Sequence, residues 1–164
     1  MQYKAIALNF FKQRANKMAI RILGNGVEVR KPGYTPNGAI LAGQAVTLDS
    51  ADINGMTIKV AGASDIVVGL ALETTVAPLT NYLNYDDYDR GGLVSAVSGS
   101  GFEVEVYNDG RGDIFDSSKS YALNDKIYVG SNGVLTNEEG GQYIGFVTKA
   151  PVTAVDTMKI QISL

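Results

Sequence analysis

Glycine falls again and again between short β-branched runs, and this punctuation constrains the fold more than any other feature of the chain. There are nineteen glycines in 164 residues. A chain interrupted this often builds many short strands joined by turns. The strand period is visible in "FEVEVY": Phe102, Val104 and Val106 point one way, and Glu103 and Glu105 the other. That alternation predicts a half-buried antiparallel strand. The final "DTMKIQISL" alternates in the same way, and "LVSAVS" and "IFDSSKSYAL" also have strand texture. "ILAGQAVTL" predicts a strand, "DSADIN" a turn, and "MTIKVA" a returning strand with Met56, Ile58 and Val60 on one face. "IVVGLALE" is nearly continuous in apolar residues and predicts a strand buried on both faces. Ile20, Ile22, Val27 and Val29 alternate around Gly24-Asn25-Gly26, which predicts a hairpin. "KPGYTPNGA" predicts a loop. The expected fold is all-β: a small antiparallel β-barrel or sandwich of short strands and hairpins, with an N-terminal arm.

Two parts of this pattern match each other. Val46 and Leu48 of "GQAVTL" correspond to Ile127 and Val129 of "NDKIYV", an offset of 81. Gly69 of "VVGLAL" corresponds to Gly145 of "YIGFVT", an offset of 76. The shortfall lies in the turn between. Each copy runs strand, hairpin, then hydrophobic–Gly–hydrophobic. A glycine inside a buried strand marks a bend or a close backbone approach. Two such units suit opposed corners of a small barrel or sandwich. Duplication explains the match, and so does similar geometry imposed twice.

Cysteine and histidine are both absent. Disulfides, thiolate metal sites and thiol catalysis are therefore excluded, and so are the commonest general base and metal ligand. No run approaches the roughly 20 apolar residues of a membrane span. "MQYKAIALNFFKQRANKM" lacks a convincing signal-peptide core. The expectation is a chain made and folded in the cytosol, without enzymatic activity, cofactor or metal. Charge is uneven. Residues 1–33 hold Lys4, Lys12, Arg14, Lys17, Arg21, Arg30 and Lys31 against Glu28 alone, a balance of +6, while the remainder is −9. This divides the chain into a basic arm plus hairpin, 1–33, and a β-rich body, 34–164. A basic arm on an acidic body is expected to meet something negative. Scattered charges without an Arg/Lys cluster argue against nucleic acid.

Candidate contact residues fall in two places. Residues 5–18 suit an amphipathic helix or an extended arm equally well. There Phe10 and Phe11, beside Lys12 and Arg14, make a hydrophobic anchor with a basic rim, or an ordinary first core element. The segment "TTVAPLTNYLNYDDYDRGG" breaks the strand pattern and is read as a long surface loop. Tyr82, Tyr85 and Tyr88 lie there among aspartates. Tyrosine offers large contact area at low entropic cost, though the rings can equally lie on the body. Other motifs have plain explanations. Arg111-Gly112-Asp113 is a Gly/Asp turn before it is an integrin ligand. Asp109, Asp113 and Asp116 have Arg111 where a calcium ligand belongs, and no closing Glu. Gly99 and Gly101 lack the Lys-Ser/Thr of a phosphate loop. Nothing sets Glu103 apart from Glu105 as a glycosidase pair requires.

"AGQAVTL", "IVVGLALETTVAP", "LNDKIYVGSNGVLT", "YIGFVTKAP" and "MKIQISL" together resemble the small β-rich head decoration, or capsid cement, proteins of tailed bacteriophages. The resemblance spans about residues 38–164 and leaves the basic arm outside it. It implies a non-enzymatic virion protein on the capsid exterior. Such a protein assembles as a homotrimer, bridges major capsid protein subunits of the mature expanded shell and stabilises it, and has no nucleic-acid or membrane partner. The alternative is a receptor- or carbohydrate-binding module of a phage tail or fibre, reading a host surface through the tyrosine loop.

Overall fold

Alternating and doubly apolar segments become strands here because each has a face, or two, to bury. A computed structural model describes residues 20–75, 93–108, 110–153 and 156–164. It contains ten strands: β1 Ile20–Leu23, β2 Val27–Pro36, β3 Ala45–Leu48, β4 Thr57–Val60, β5 Gly69–Ala71, β6 Val94–Val106, β7 Lys126–Val129, β8 Leu135–Thr136, β9 Tyr143–Lys149 and β10 Met158–Ser163. A short 3-10 turn at Ser131–Gly133 separates β7 from β8. The fold is all-β, and among the described residues every strand pair is antiparallel except the short β2–β4 contact.

β6 organises the molecule. Its first half pairs with β2 on one side and β5 on the other. β5 pairs with β3, β3 with β4, and β4 with β2, so these strands close a ring. Each strand gives the ring interior a buried side chain: Tyr34, Val46, Ile58, Ala71, Val94 and Ala96. The second half of β6 lies between β1 and β10, and the sheet continues through β9 and β7 to β8. A second, larger core fills the space between that sheet and the outside of the ring. Ala45, Leu70 and Val97, sequence neighbours of Val46, Ala71 and Ala96, face this core with Phe102, Val104, Ile127, Ile144 and Ile160. Of the ring strands, β3 and β5 are therefore buried on both faces, as "IVVGLALE" predicts for Gly69–Ala71, although regular pairing is confined to those three residues and Ile66 is exposed.

The switch between cores is made inside β6. Inward residues are even-numbered at Val94 and Ala96, Val97 faces the other core, and Phe102, Val104 and Val106 continue there. Gly99 (φ +127°) and Gly101 (φ +81°) absorb the change, at backbone angles that side chains rarely adopt. The segments "LVSAVS" and "FEVEVY" are thus one bent strand.

The matched segments prove to be one supersecondary unit built twice. In the first, β3 is central between β4 and β5; in the second, β7 is central between β8 and β9. Val46 lies opposite Gly69, and Ile127 opposite Gly145. The entry turns agree bond by bond. The Leu41 N–H donates to Gln44 Oε1 at 2.7 Å, and the Ala122 N–H to Asp125 Oδ2 at 2.8 Å. The Gly43 N–H donates to the Ala71 carbonyl (2.7 Å), and the Asn124 N–H to that of Val147 (2.9 Å). Both pivots, Gly43 and Asn124, have positive φ. Gly69 and Gly145 each mark a close backbone approach. A Cβ at Gly69 would lie 2.7 Å from the Val97 carbonyl oxygen, and one at Gly145 would lie 2.0 Å from that of Gln161.

Four local expectations are corrected. Most of "KPGYTPNGA" is strand rather than loop, since β2 runs on to Pro36 and its last two residues pair with β4. Residues 20–36 do not form a hairpin at Gly24-Asn25-Gly26. β1 and β2 run on in one direction along the same side of β6, from Ile20 opposite Val106 to Tyr34 opposite Val94. The turn residues there make a bulge, since a Cβ at Gly26 would lie 2.0 Å from the Phe102 nitrogen. "IFDSSKSYAL" is a series of turns with one isolated bridge, Phe115 to Leu135. Ile114 and Phe115 are buried beside this single bridge, while Leu123 is exposed, and Asn108 brackets the buried pair: Oδ1 accepts from the Ile114 and Phe115 N–H groups, and Nδ2 donates to the Phe115 carbonyl. In "ILAGQAVTL" only residues 45–48 are strand, because Gly43 turns the chain first.

Candidate docking surface

The seven residues singled out for partner contact, Phe10, Phe11, Lys12, Arg14, Tyr82, Tyr85 and Tyr88, all lie outside the described residues, as does Asp109. The described surface offers a different candidate, the turn between β3 and β4. The second unit passes from β7 to β8 through Gly130–Val134, five residues. The first passes from β3 to β4 through Asp49–Met56, eight residues. The longer turn holds Ile53, which is 96% exposed, and Met56, which is 54% exposed. Leu48, on the side of β3 that Val46 presents to the ring interior, stands at the ring's open end and is 42% exposed.

Aspartates brace this turn. Asp49 Oδ1 accepts the Ala51 N–H, and Asn37 Nδ2 donates to its Oδ2 at 2.5 Å. Asp52 Oδ1 accepts the Asn54 N–H at 2.9 Å, and its Oδ2 takes the Met56 N–H and the Thr57 hydroxyl. Backbone bonds run from the Asp52 N–H to the Asp49 carbonyl and from the Gly55 N–H to the Asp52 carbonyl. Hydrogen bonds to an ionised carboxylate favour the ionised form. Asp49 is accordingly held below the usual aspartate range, chiefly by the Ala51 N–H and then by Asn37. Asp52 is lowered chiefly by the Thr57 hydroxyl and then by the Asn54 N–H. The outcome is a pre-ordered turn that carries an isoleucine in water. Such a group suits insertion into an apolar pocket, because little freedom is left to lose on binding.

The other singled-out groups are engaged internally. Gly112 packs against Leu41, and Asp113 Oδ2 accepts the N–H and hydroxyl of Ser117. Asp116 Oδ1 holds Ser118 in the same way. Glu103 accepts the Thr148 hydroxyl, and Glu105 stands between Arg21 and Lys159 on the neighbouring strands. Among the described residues, no three acidic side chains gather as a metal site.

Comparison with known proteins adds a likeness of fold. No family profile matches the chain, and no curated protein does. Among solved structures, the head fiber gp8.5 N base of bacteriophage phi29 matches with a TM-score of 0.51 at 12% identity. The match covers 84% of this chain and 95% of that one. The two proteins share a fold, and the fold is one used in a component of a phage head.

Proposed function

We propose that this chain is a structural protein of a tailed-phage virion, a decoration protein of the mature expanded head. On this reading it is made in the host cytoplasm and binds the capsid exterior as an oligomer. It bridges major capsid protein subunits and performs no catalysis. The observation that carries the reading is the match to the phi29 head fiber base over nearly that whole chain. The sequence resemblance to cement proteins points the same way. The braced Asp49–Met56 turn supplies an anchor, and many symmetric copies turn a weak single contact into stable occupancy.

The test is co-sedimentation with heads of the virus that encodes the chain, expanded and unexpanded, freed of this protein. Saturable binding to expanded heads is the expected result. Ile53→Ser should lower that binding roughly tenfold, as loss of an interface anchor does, and should leave the melting temperature unchanged. Absence of binding to either form would move the assignment to the tail or host-surface reading. Unaltered binding by Ile53→Ser would remove the turn from the interface.

A further inference from the structure

β2 is the least self-sufficient strand among the described residues. Residues 27–32 are exposed on both faces, with Val27 at 67% and Val29 at 42%. The β6 residues that pair with them include Ser98, Gly99 and Ser100, which are small and add no core. Beyond β6, residues 27–34 have no partner strand among the described residues. Ordering six residues costs about 1–2 kcal/mol each in backbone entropy. A ladder on one side with no buried face returns little of that. Such an edge is a template for another strand.

We propose that this edge pairs with the same edge of a second copy, antiparallel and centred on Val29. The sequence Val27-Glu28-Val29-Arg30-Lys31 is complementary to itself in that register. Val29 meets its counterpart. Glu28 of each copy stands opposite Arg30 of the other, giving two cross-strand ion pairs on one face. On the other face Val27 lies against the aliphatic stem of Lys31. Within a single copy Glu28 and Arg30 already pair with each other, so the contact exchanges these partners. Pro32, which has no N–H to donate, ends the ladder. A one-residue slip in one direction would place Glu28 opposite Val29 and leave the charges unmatched, and in the other it would set Val29 against Arg30 and lose the valine pair.

Analytical ultracentrifugation of the full chain tests this. The wild type should associate in pairs in a concentration-dependent manner. Glu28→Arg sets arginine against arginine in both cross-strand pairs, and Arg30→Glu sets glutamate against glutamate. Each variant should self-associate at least roughly tenfold more weakly. Mixed in equal amounts, the two should recover wild-type association, because a variant of one kind facing a variant of the other again places arginine against glutamate. Both positions are exposed, and circular dichroism confirms that each variant is folded. The proposal is overturned by a wild type that stays monomeric throughout, by single variants that associate as the wild type does, or by a mixture that fails to recover.

Discussion

Gly145 offers the sharpest test of how the repeated unit is built. An alanine Cβ there would lie 2.0 Å from the Gln161 carbonyl oxygen and 3.2 Å from Ile160 Cγ2. Ordinary contact begins near 3.4 Å, so β9 and β10 must part by roughly 1.4 Å in a packed core. Overpacking of this kind costs about 1–3 kcal/mol, and a weakened ladder bond adds about 1 kcal/mol. Removing a glycine from the unfolded chain offsets about 0.4–1 kcal/mol. Because the obstacle is backbone, the upper end of the overpacking range applies. The net loss is about 3 kcal/mol, which at this chain length lowers the melting temperature by about 6–12 °C. At Gly69, the equivalent position, the shortfall is smaller, with the Val97 oxygen at 2.7 Å, so Gly69→Ala should lose about 1–2 kcal/mol. Gly140, with nothing within 4 Å, is the control, and Gly140→Ala should melt at or slightly above the wild type. Thermal and urea unfolding of the three variants supply the numbers. A Gly145→Ala protein that melts within about 2 °C of wild type, or a Gly69→Ala protein hurt more than Gly145→Ala, would refute the close-approach reasoning.

Two further outcomes are expected. The native pKa values of Asp49 and Asp52 are lowered, so their hydrogen bonds contribute stability that is complete above the unfolded value near about 4 and lost as pH falls through the native values. Carboxyl NMR titration should show both midpoints below that of a free aspartate, and a normal midpoint at either would break the bracing argument. Asn108→Ala removes three hydrogen bonds from the Ile114–Phe115 turn and should cost about 2–3 kcal/mol in urea unfolding. A loss near zero would mean that the apolar contacts of Phe115 hold the turn by themselves.

The sequence was most legible where one buried face sets the rhythm. Phe102–Val106 and Met158–Ile162 alternate because only one side of each strand meets a core, and they form as expected. The two in-strand glycines were legible because close approach admits no side chain. What failed depended on distant partners. Gly24-Asn25-Gly26 has the local chemistry of a hairpin, and the same chemistry suits a bulge. The choice is made by β6, some eighty residues later in the chain, which accepts both β1 and β2 on one side. Ile114 and Phe115 are apolar because they are buried, and their backbone is satisfied by Asn108 together with a single bond from the Leu135 N–H rather than by a regular ladder. At the surface, the signal for Ile53 was present in "DSADINGM": an isoleucine among turn residues, where turn chemistry asks for none. The sequence alone shows only a turn there, because the shorter turn that performs the same task becomes its counterpart only in the fold.

That shorter turn separates scaffold from surface. Features present in both units, the entry turn, the central strand and the strand glycine, are what the fold needs. Features present in one unit are free to serve something else. The Asp49–Met56 turn is such a feature: Gly130–Val134 makes the same reversal without an exposed apolar side chain of comparable size. β2 belongs to neither unit, and its exposed stretch buries nothing among the described residues. The two surfaces also serve one proposed role in complementary ways. A braced isoleucine supplies a contact that is weak alone but loses little entropy on docking. An edge that joins copies presents that contact more than once, and linked contacts gain affinity without any new interaction. A lattice protein needs both properties, since single contacts must stay weak enough to find register while the assembled layer must hold.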